Sequence, residues 1–441
     1  MRPSGTGSAA SGAVVGLLGV VGTDDLARDL AARVVAAELA RRLPTATLRW
    51  FSPLAPGSPA PRTDPDSAPL GAWGDATTAR LAALVDVTVA VGPDLHDDPA
   101  RCTWRAGMRD DAVRLVAPWR YLAAGLGPAS GVPHAWAAVG VPADPGPDLA
   151  ALLDTAVGEL LVAGVATDDD AARLRRAGVG AAVPVVGDPL VLADRLLADD
   201  VLADRRAMLR LLDLLPEGSY RVVAVADVER VDDLVAAVVE AEAATSRPLV
   251  VVDVDAGAAG RVLVDRLEAA LDRAVRRVPA VAGAQDAVAA IAGAADHVLA
   301  APPVRTLCDV YRVPEAGVRN DVSADADRAL AARRERLDAH FDDLAAAIRA
   351  ALEAAPQARA DRVVRLEADL TAARARVAAA EDRLLHERRV LAAAMRQRQA
   401  ELERRATEAE AQVAALLGSR TFRWTAAVRS AVGTLRRRSP S

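Results

Sequence analysis

The stretch that decides the fold is residues 162–189, VAGVATDDDAARLRRAGVGAAVPVVGDP. A short apolar segment, 162–165, leads into a helix that opens on three aspartates, Asp168, Asp169 and Asp170, and stops at Gly178. Aspartate suits the positive end of a helix, and glycine suits the position just after its last turn. A second apolar strand follows, and an Asp-Pro turn closes the unit, so this stretch predicts an open α/β protein.

The same alternation of apolar strands and helices runs outward from this unit in both directions. The predicted strands are 13–18, 46–50, 85–91, 113–117 and 135–139 in the first half, and 221–226, 248–253, 278–281 and 297–300 in the second. The predicted helices are 25–42, 190–214, 231–244, 258–277 and 285–295. Continuously apolar strands separated by helices indicate parallel sheets covered on both faces. We therefore expect two Rossmann-like lobes, residues 1–215 and 216–322, with a ligand cleft between them at the carboxyl ends of the strands.

From about residue 325 the chain is helical, and we expect Ala355-Pro356 to interrupt the helix. Apolar residues then recur every seven positions, at Val363, Leu370, Val377, Leu384 and Leu391. The pattern slips and resumes at Met395, Leu402, Val413 and Leu416. A sustained heptad predicts a coiled coil that joins subunits, and the alternative is one solvated helix folded back on the globular part. Residues 323–417 are thus a helical and coiled-coil extension, and 418–441 form a basic tail.

Composition limits the class of protein further. The 441 residues carry a net charge of −6, which argues against a general nucleic-acid binder, and all basic residues are arginine. Cys102 and Cys308 are far apart and lack metal-ligand spacing, so we expect two free thiols in a reducing cytoplasm and no metal or cofactor. No apolar run reaches the roughly 18 residues of a membrane-spanning helix.

The first candidate site is the glycine-rich loop after the first strand, with Gly19, Gly22, Thr23 and Asp25. Such a loop lets backbone N–H groups approach an anion at the start of a helix, which is the geometry of phosphate binding. The sequence is not the dinucleotide motif G-x-G-x-x-G, and its aspartates repel phosphate. The alternative interpretation is a tight strand-to-helix turn that aspartate caps.

Two further candidates lie in the second half of the chain. Arg305, near the start of the helix that follows the strand at 297–300, is placed to bind an anionic substrate, although a solvated surface arginine is an equal alternative. The tail contains six arginines and no acid between Gly418 and Ser441, together with Phe422 and Trp424. Basic and aromatic residues in a short helix suit an anionic membrane surface, and the alternative is an unattached basic terminus.

These features resemble the polysaccharide pyruvyl transferase family, whose members have two glycosyltransferase-B-like lobes. The resemblance covers roughly residues 13–317 and is carried by the loop at 16–26, the helix at 167–179, Asp188-Pro189, and the strand and helix at 296–314. It implies transfer of a pyruvyl group from phosphoenolpyruvate to a sugar acceptor in bacterial cell-surface polysaccharide synthesis. The expected location is the cytoplasm, with peripheral attachment to the inner face of the membrane through the tail.

The sequence lacks several charged residues of the family's motifs. Counting back from Pro314, the arginine and histidine of the family motif fall on Pro302 and Val304, which carry no charge and move no proton. Thr167 stands where the family has an arginine at the start of the middle helix. No catalytic residue is therefore assigned. The alternatives are a non-catalytic member that binds a glycan or acts as a scaffold, and a nucleotide-sugar glycosyltransferase on the same architecture.

Overall fold

The structure is a computed structural model of the whole chain. It describes residues 13–19, 26–52, 67–69, 81–91, 131–141, 146–225, 230–254, 259–279, 283–298, 302–316, 324–418, 424–425 and 427–430. The chain divides into two compact units, Met1–Arg362 and Val363–Ser441. The first unit contains both sheets.

The first lobe is built on a parallel sheet of five strands. Its elements are β1 (Val14–Leu18), α1 (Leu26–Arg42), β2 (Thr47–Ser52), β3 (Ser67–Pro69), β4 (Val87–Val91), β5 (His134–Ala137), α2 (Gly146–Glu159) and α3 (Asp168–Arg176). The strand order is β3-β2-β1-β4-β5. Single parallel bridges from Val139 to Val165, and from Val165 to Val185, continue the ladder beyond β5. The two apolar segments of the deciding stretch are therefore added edges of this sheet.

The second lobe repeats the pattern with four parallel strands in the order β8-β7-β6-β9. Its elements are β6 (Arg221–Val225), α6 (Val231–Ala244), β7 (Leu249–Asp253), α7 (Ala259–Leu271), β8 (Arg276–Val278), α8 (Ala284–Ala292), β9 (Asp296–Val298) and α9 (Pro302–Tyr311). A 3-10 helix (Pro189–Leu192), α4 (Ala193–Leu196) and α5 (Asp199–Leu211) connect the two lobes. Two Rossmann-like lobes were predicted, and the structure confirms this fold class.

The deciding stretch folds as predicted, with a change of cap. Thr167, not an aspartate, is the N-cap of α3, and it forms a reciprocal capping box with Asp170. The carboxylate of Asp170 also accepts the N–H of Val141 at 2.9 Å, which ties the helix to the chain that follows β5. Gly178 has a φ of +85°, the left-handed conformation expected just after a helix.

Two predicted helices are too long. The helix expected at 190–214 is three pieces, because Leu197 leaves the helical region (φ −118°, ψ 81°) and Asp199 starts a new helix. The helix expected at 258–277 ends at Leu271, where Asp272 adopts a left-handed φ of 49° and β8 begins at Arg276. Periodicity within a segment does not reveal where tertiary packing turns the chain.

The last helix, α10 (Ala324–Gly418), runs without a break through position 356. The interruption predicted at Ala355-Pro356 is therefore wrong. A proline removes one backbone hydrogen bond, and about 3 kcal/mol is the usual cost in a helix interior. The long helical segments on both sides of Pro356 offset that cost, because helix propagation is cooperative and each added residue contributes a hydrogen bond. The helical extension that the sequence predicted is present.

The first part of α10 packs onto the first lobe through one buried ridge and one ionic cluster. The ridge is formed by Leu337, Phe341, Leu344 and Ile348, all fully buried. In the cluster, Arg195 donates two hydrogen bonds of 2.7 Å to Asp338. Those hydrogen bonds hold the pKa of Asp338 at about 2.

The same cluster reaches α1. Arg42 donates to the carboxylate of Glu38 within its own helix and to that of Asp338 at 2.9 Å. The ion pairs thus link α1, α4 and α10, so the C-terminal helix returns to the N-terminal lobe.

Candidate functional site

The carboxyl edges of the two sheets meet at one backbone hydrogen bond. The N–H of Leu26, the first residue of α1, donates to the carbonyl oxygen of Val254 at 2.8 Å. Leu26 opens the helix that follows β1 in the first lobe, and Val254 directly follows β7 in the second. Ligands of open α/β folds bind outside the carboxyl ends of the strands, so this junction defines the candidate crevice.

Gly19, the first predicted site residue, lies where β1 ends. A Cβ at this position would stand 2.8 Å from the carbonyl oxygen of Val91 and 2.8 Å from its side chain. The N–H of Gly19 donates to the carbonyl oxygen of Phe51 at 3.3 Å. The ends of β1, β2 and β4 therefore approach too closely for any side chain. This packing explains the glycine, and its predicted role in binding stays a prediction.

The other predicted site residues have different outcomes. Gly22, Thr23 and Asp25 lie outside the described residues. Arg305 lies on the exposed face of α9, in the second lobe. Gly19, after β1, and Arg305, on the helix after β9, thus lie in different lobes, and their roles in binding stay predictions.

The second lobe contains a buried histidine on β9 and a buried cysteine on α9. His297, on β9, is 5% exposed, and its Nδ1 has no hydrogen-bond partner among the described residues. Burial lowers the pKa of His297 and raises that of Cys308 to about 12. Because the thiolate is the reactive form, Cys308 stays an inert core thiol at neutral pH. The sequence prediction of a free thiol holds for this residue.

An acidic side chain ends β7, where a Rossmann-like lobe carries the group that binds a ribose. In this chain Asp253 is buried, and both of its oxygens accept the Nε–H of Arg277 at 3.1 Å. The packing at Gly260 is equally tight, since a Cβ there would lie 1.6 Å from Oδ1 of Asp253. The carboxylate of Asp253 is therefore neutralised by Arg277 of β8 and packs against Gly260 of α7.

In the sequence, Asp188 is only part of an Asp-Pro turn, but in the structure its carboxyl group has the properties of a proton-transfer group. Asp188 follows the last parallel segment of the first sheet and caps the 3-10 helix by accepting the N–H of Leu190 at 2.9 Å. Burial raises its pKa to about 6, although Arg333 acts in the opposite direction. A carboxyl group with a pKa near neutrality at a strand's carboxyl end is a candidate for moving protons.

The raised pKa predicts a measurable stability effect. In the folded protein Asp188 holds its proton up to about pH 6, whereas an unfolded aspartate ionises near 3.9, so its contribution to stability falls as pH rises between those values. Asp188→Asn keeps an oxygen for Leu190 and carries no charge. We expect this variant to exceed the parent in unfolding free energy by roughly 1–3 kcal/mol at pH 7.5, and by nothing at pH 4.

Urea unfolding at the two pH values measures this difference. All other titrations, including that of buried His340 with its pKa of about 4, are common to both proteins and cancel. The exposed Asp204→Asn is the control and should change stability by less than about 0.5 kcal/mol. An equal gain for Asp188→Asn at both pH values would contradict the raised pKa.

In the part of the chain that the structure describes, no three His, Cys, Asp or Glu side chains gather as a metal site would require. No helix within the described ranges has a stretch long and apolar enough to cross a bilayer. Of the tail, the structure describes seven residues, and among them Trp424 and Val428 are exposed. Membrane binding by the tail stays a prediction.

No family model matches the sequence, and no curated protein matches it. Solved structures do resemble the fold. UDP-GlcNAc 2-epimerase from Methanocaldococcus jannaschii is 11% identical, over 73% of this chain and 91% of that one, with a TM-score of 0.44. The Neisseria meningitidis epimerase bound to UDP-GlcNAc is 12% identical, over 78% and 93%, with a TM-score of 0.43. Sucrose-phosphate synthase from Thermosynechococcus elongatus is 15% identical, over 82% and 100%, with a TM-score of 0.38.

These findings correct the assignment to the pyruvyl transferase family. The similar structures are UDP-GlcNAc 2-epimerases and B-type glycosyltransferases, and no family or sequence match supports a pyruvyl transferase. The predicted partners, phosphoenolpyruvate and its sugar acceptor, are wrong for the same reason. Val304, which stands where the family motif has its histidine, is a fully buried apolar residue of α9. Likenesses this distant carry no substrate over to this chain.

Proposed function

We propose that this chain binds a nucleotide sugar in the crevice between its two lobes, as a glycosyltransferase- or epimerase-type protein. The observation that carries the proposal is the junction of Leu26 with Val254, which puts the carboxyl edges of two parallel sheets face to face. Two such edges offer one surface for a nucleotide diphosphate and a second for the sugar or its acceptor.

The chemistry of the described residues supports this assignment of roles. Arg305, exposed at the start of α9, is placed to pair with a diphosphate, because a guanidinium binds phosphate oxygens in a bidentate manner. Asp188 is the proposed proton-transfer group, since its pKa of about 6 lets it donate or accept a proton near neutral pH. Asp188 follows the parallel bridge at Val185, and Arg305 lies in the first turn of the helix that follows β9.

One observation favours a second candidate, binding without catalysis. Asp253, at the carboxyl end of β7, is paired with Arg277, so it is not a free carboxylate for proton transfer. A chain in which Asp188 does not act either would hold a glycan or its activated donor without transferring it. The two candidates share the crevice and differ in turnover.

Calorimetric titration of the full chain tests the binding proposal. The probes are UDP-GlcNAc and UDP, the ligands named for the similar structures, with a guanosine diphosphate sugar as a third arm. We expect Arg305→Ala to weaken nucleotide binding about tenfold through the loss of one charge-assisted contact. The exposed Arg261→Ala, on α7, is the matched control and should leave the affinity unchanged.

Release of UDP from UDP-GlcNAc, followed with and without Asp188→Asn, separates the two candidates. Turnover that the variant loses supports catalysis through Asp188, and tight binding without turnover supports the second candidate. If none of the three nucleotides gives heat at millimolar concentration, the proposal of a nucleotide-sugar site is wrong.

A further inference from the structure

The C-terminal half of α10 carries large apolar side chains that are exposed on the single chain. Val377, Leu384 and Leu391, seven residues apart, are 58%, 61% and 65% exposed. Seven residues make almost two turns of an α-helix, so these side chains lie in one stripe. An exposed stripe of this kind on a long helix marks a surface for a partner.

The stripe continues after a shift of one residue in the heptad. In a heptad lettered a to g, the apolar core positions are a and d, and Val377, Leu384 and Leu391 lie at a. After the shift, Met395, Leu402 and Leu416 lie at d, and Val413 lies at a. These four side chains are also more than half exposed. The apolar pattern thus extends through most of residues 363–417, which span about 82 Å at 1.5 Å per residue.

Charges beside the stripe point to the partner. In a parallel pair of helices, a residue at position g faces the residue five places later, at position e, on the other chain. The described residues give two such pairs of opposite charge, Arg398 with Glu403 and Arg405 with Glu410. These side chains are exposed, and therefore available to a partner.

The first part of the pattern follows the same rule. In the sequence, three g and e positions of this part carry opposite charges. The pairs are Arg362 with Glu367, Asp369 with Arg374, and Arg376 with Glu381. The remaining pair, Arg383 with Arg388, is repulsive. Five of the six charged pairs therefore attract when the partner is the same sequence in the same direction and register.

We infer that residues 363–417 of two copies of this chain form a parallel, in-register, two-stranded coiled coil. The partner is a second copy because the sequence complements its own charges. The core between the helices consists of the a and d positions, and alanine occupies several d positions, among them Ala373, Ala380 and Ala394. Small side chains fill only a narrow core, so two helices fit better than three or four. The small core residues set the number of helices at two, and the charge pairs set their direction and register.

Sedimentation of the full chain tests the dimer. We expect the mass of two copies at micromolar concentration. Leu384→Asp places a carboxylate in the seam and should weaken dimerisation at least a hundredfold, because two charges would be buried without partners. Ala375→Asp, on the opposite face, is the control with the same new side chain and should leave the mass unchanged. Circular dichroism of both variants verifies that the globular part stays folded.

Charge exchange tests the direction. Arg405→Glu sets a glutamate against Glu410 of the other copy in each of the two symmetric contacts and should weaken the dimer about tenfold. Arg405→Glu combined with Glu410→Arg reverses both charges and should restore it. The hydrogen-bonded ion pair of Arg405 with Glu401 in its own helix is lost in both variants, so only the contact between chains differs.

Register is tested by Val377→Cys in the full chain, which should form a disulfide between two copies under mild oxidation. Monomers at micromolar concentration, or any oligomer that resists Leu384→Asp, would overturn the inference. Failure of the double charge exchange to rescue, or of the Val377→Cys variant to crosslink, would overturn the parallel, in-register arrangement. Nucleotide binding in the crevice is a separate measurement, so either proposal can fail alone.

Discussion

Arg221→Ala is expected to lower the unfolding free energy by about 3–5 kcal/mol, the cost of breaking a buried ion pair. The guanidinium of Arg221 is 2% exposed and donates to both oxygens of Asp296, at 2.7 and 3.2 Å. It also donates to Glu242 at 3.0 Å. Removing it leaves two buried carboxylates with less compensation, between the amino ends of β6 and β9.

A surface pair provides the matched control. Arg266 and Asp232 are hydrogen-bonded at 2.5 Å, but their side chains are 60% and 78% exposed. Arg266→Ala should change stability by no more than about 1 kcal/mol, because solvent screens an exposed pair. Urea unfolding of both variants measures the contrast. If Arg221→Ala costs no more than Arg266→Ala, the buried cluster does not stabilise the second lobe as described.

Gly260→Ala is expected to destabilise the protein by about 2–4 kcal/mol, since overpacking and the disturbance of an ion pair act together. The new methyl group would lie 1.6 Å from Oδ1 of Asp253. To make room, that carboxylate must move away from Arg277, and the chain continues directly into Val254 at the junction of the two sheet edges. We therefore expect weaker nucleotide binding as well.

The same substitution at Gly158 should act in the opposite direction. Gly158 is an exposed residue of α2, and a Cβ there would meet nothing within 4 Å. Alanine in a helix is favoured over glycine by up to about 1 kcal/mol, so Gly158→Ala should raise stability. Thermal unfolding measures whether each variant melts below or above the parent protein. If Gly260→Ala melts no lower than the parent, Asp253 moves aside without a cost in stability.

Local sequence was enough to predict much of the second lobe. β6, α6 and β7 were placed within a residue or two, because each is a short apolar or amphipathic segment bounded by polar and turn residues. Local sequence failed where a helix had to stop without a glycine. At Leu197 and Asp272 the chain leaves the helical conformation for reasons that lie in the packing of other elements.

The candidate site was less predictable than the fold. Gly19 was found from the loop pattern, but its close approach to Val91 depends on how three strands converge. Asp188 was visible only as an Asp-Pro turn, since a single sequence does not show burial. Its signal was a carboxylate directly after an apolar strand, which is where α/β folds present functional groups.

The amino-acid sequence by itself determined the alternation of strands and helices, the stop of α3 at Gly178, and the heptads with their matched charges. These depend on periodicity and on neighbours within a few residues, which the chain carries wherever it folds. Only the tertiary structure decided that Leu26 meets Val254, that Asp253 pairs with Arg277, and that the pKa of Asp188 is raised by desolvation. Each of these joins residues far apart in sequence, and desolvation exists only once the lobes have closed around them.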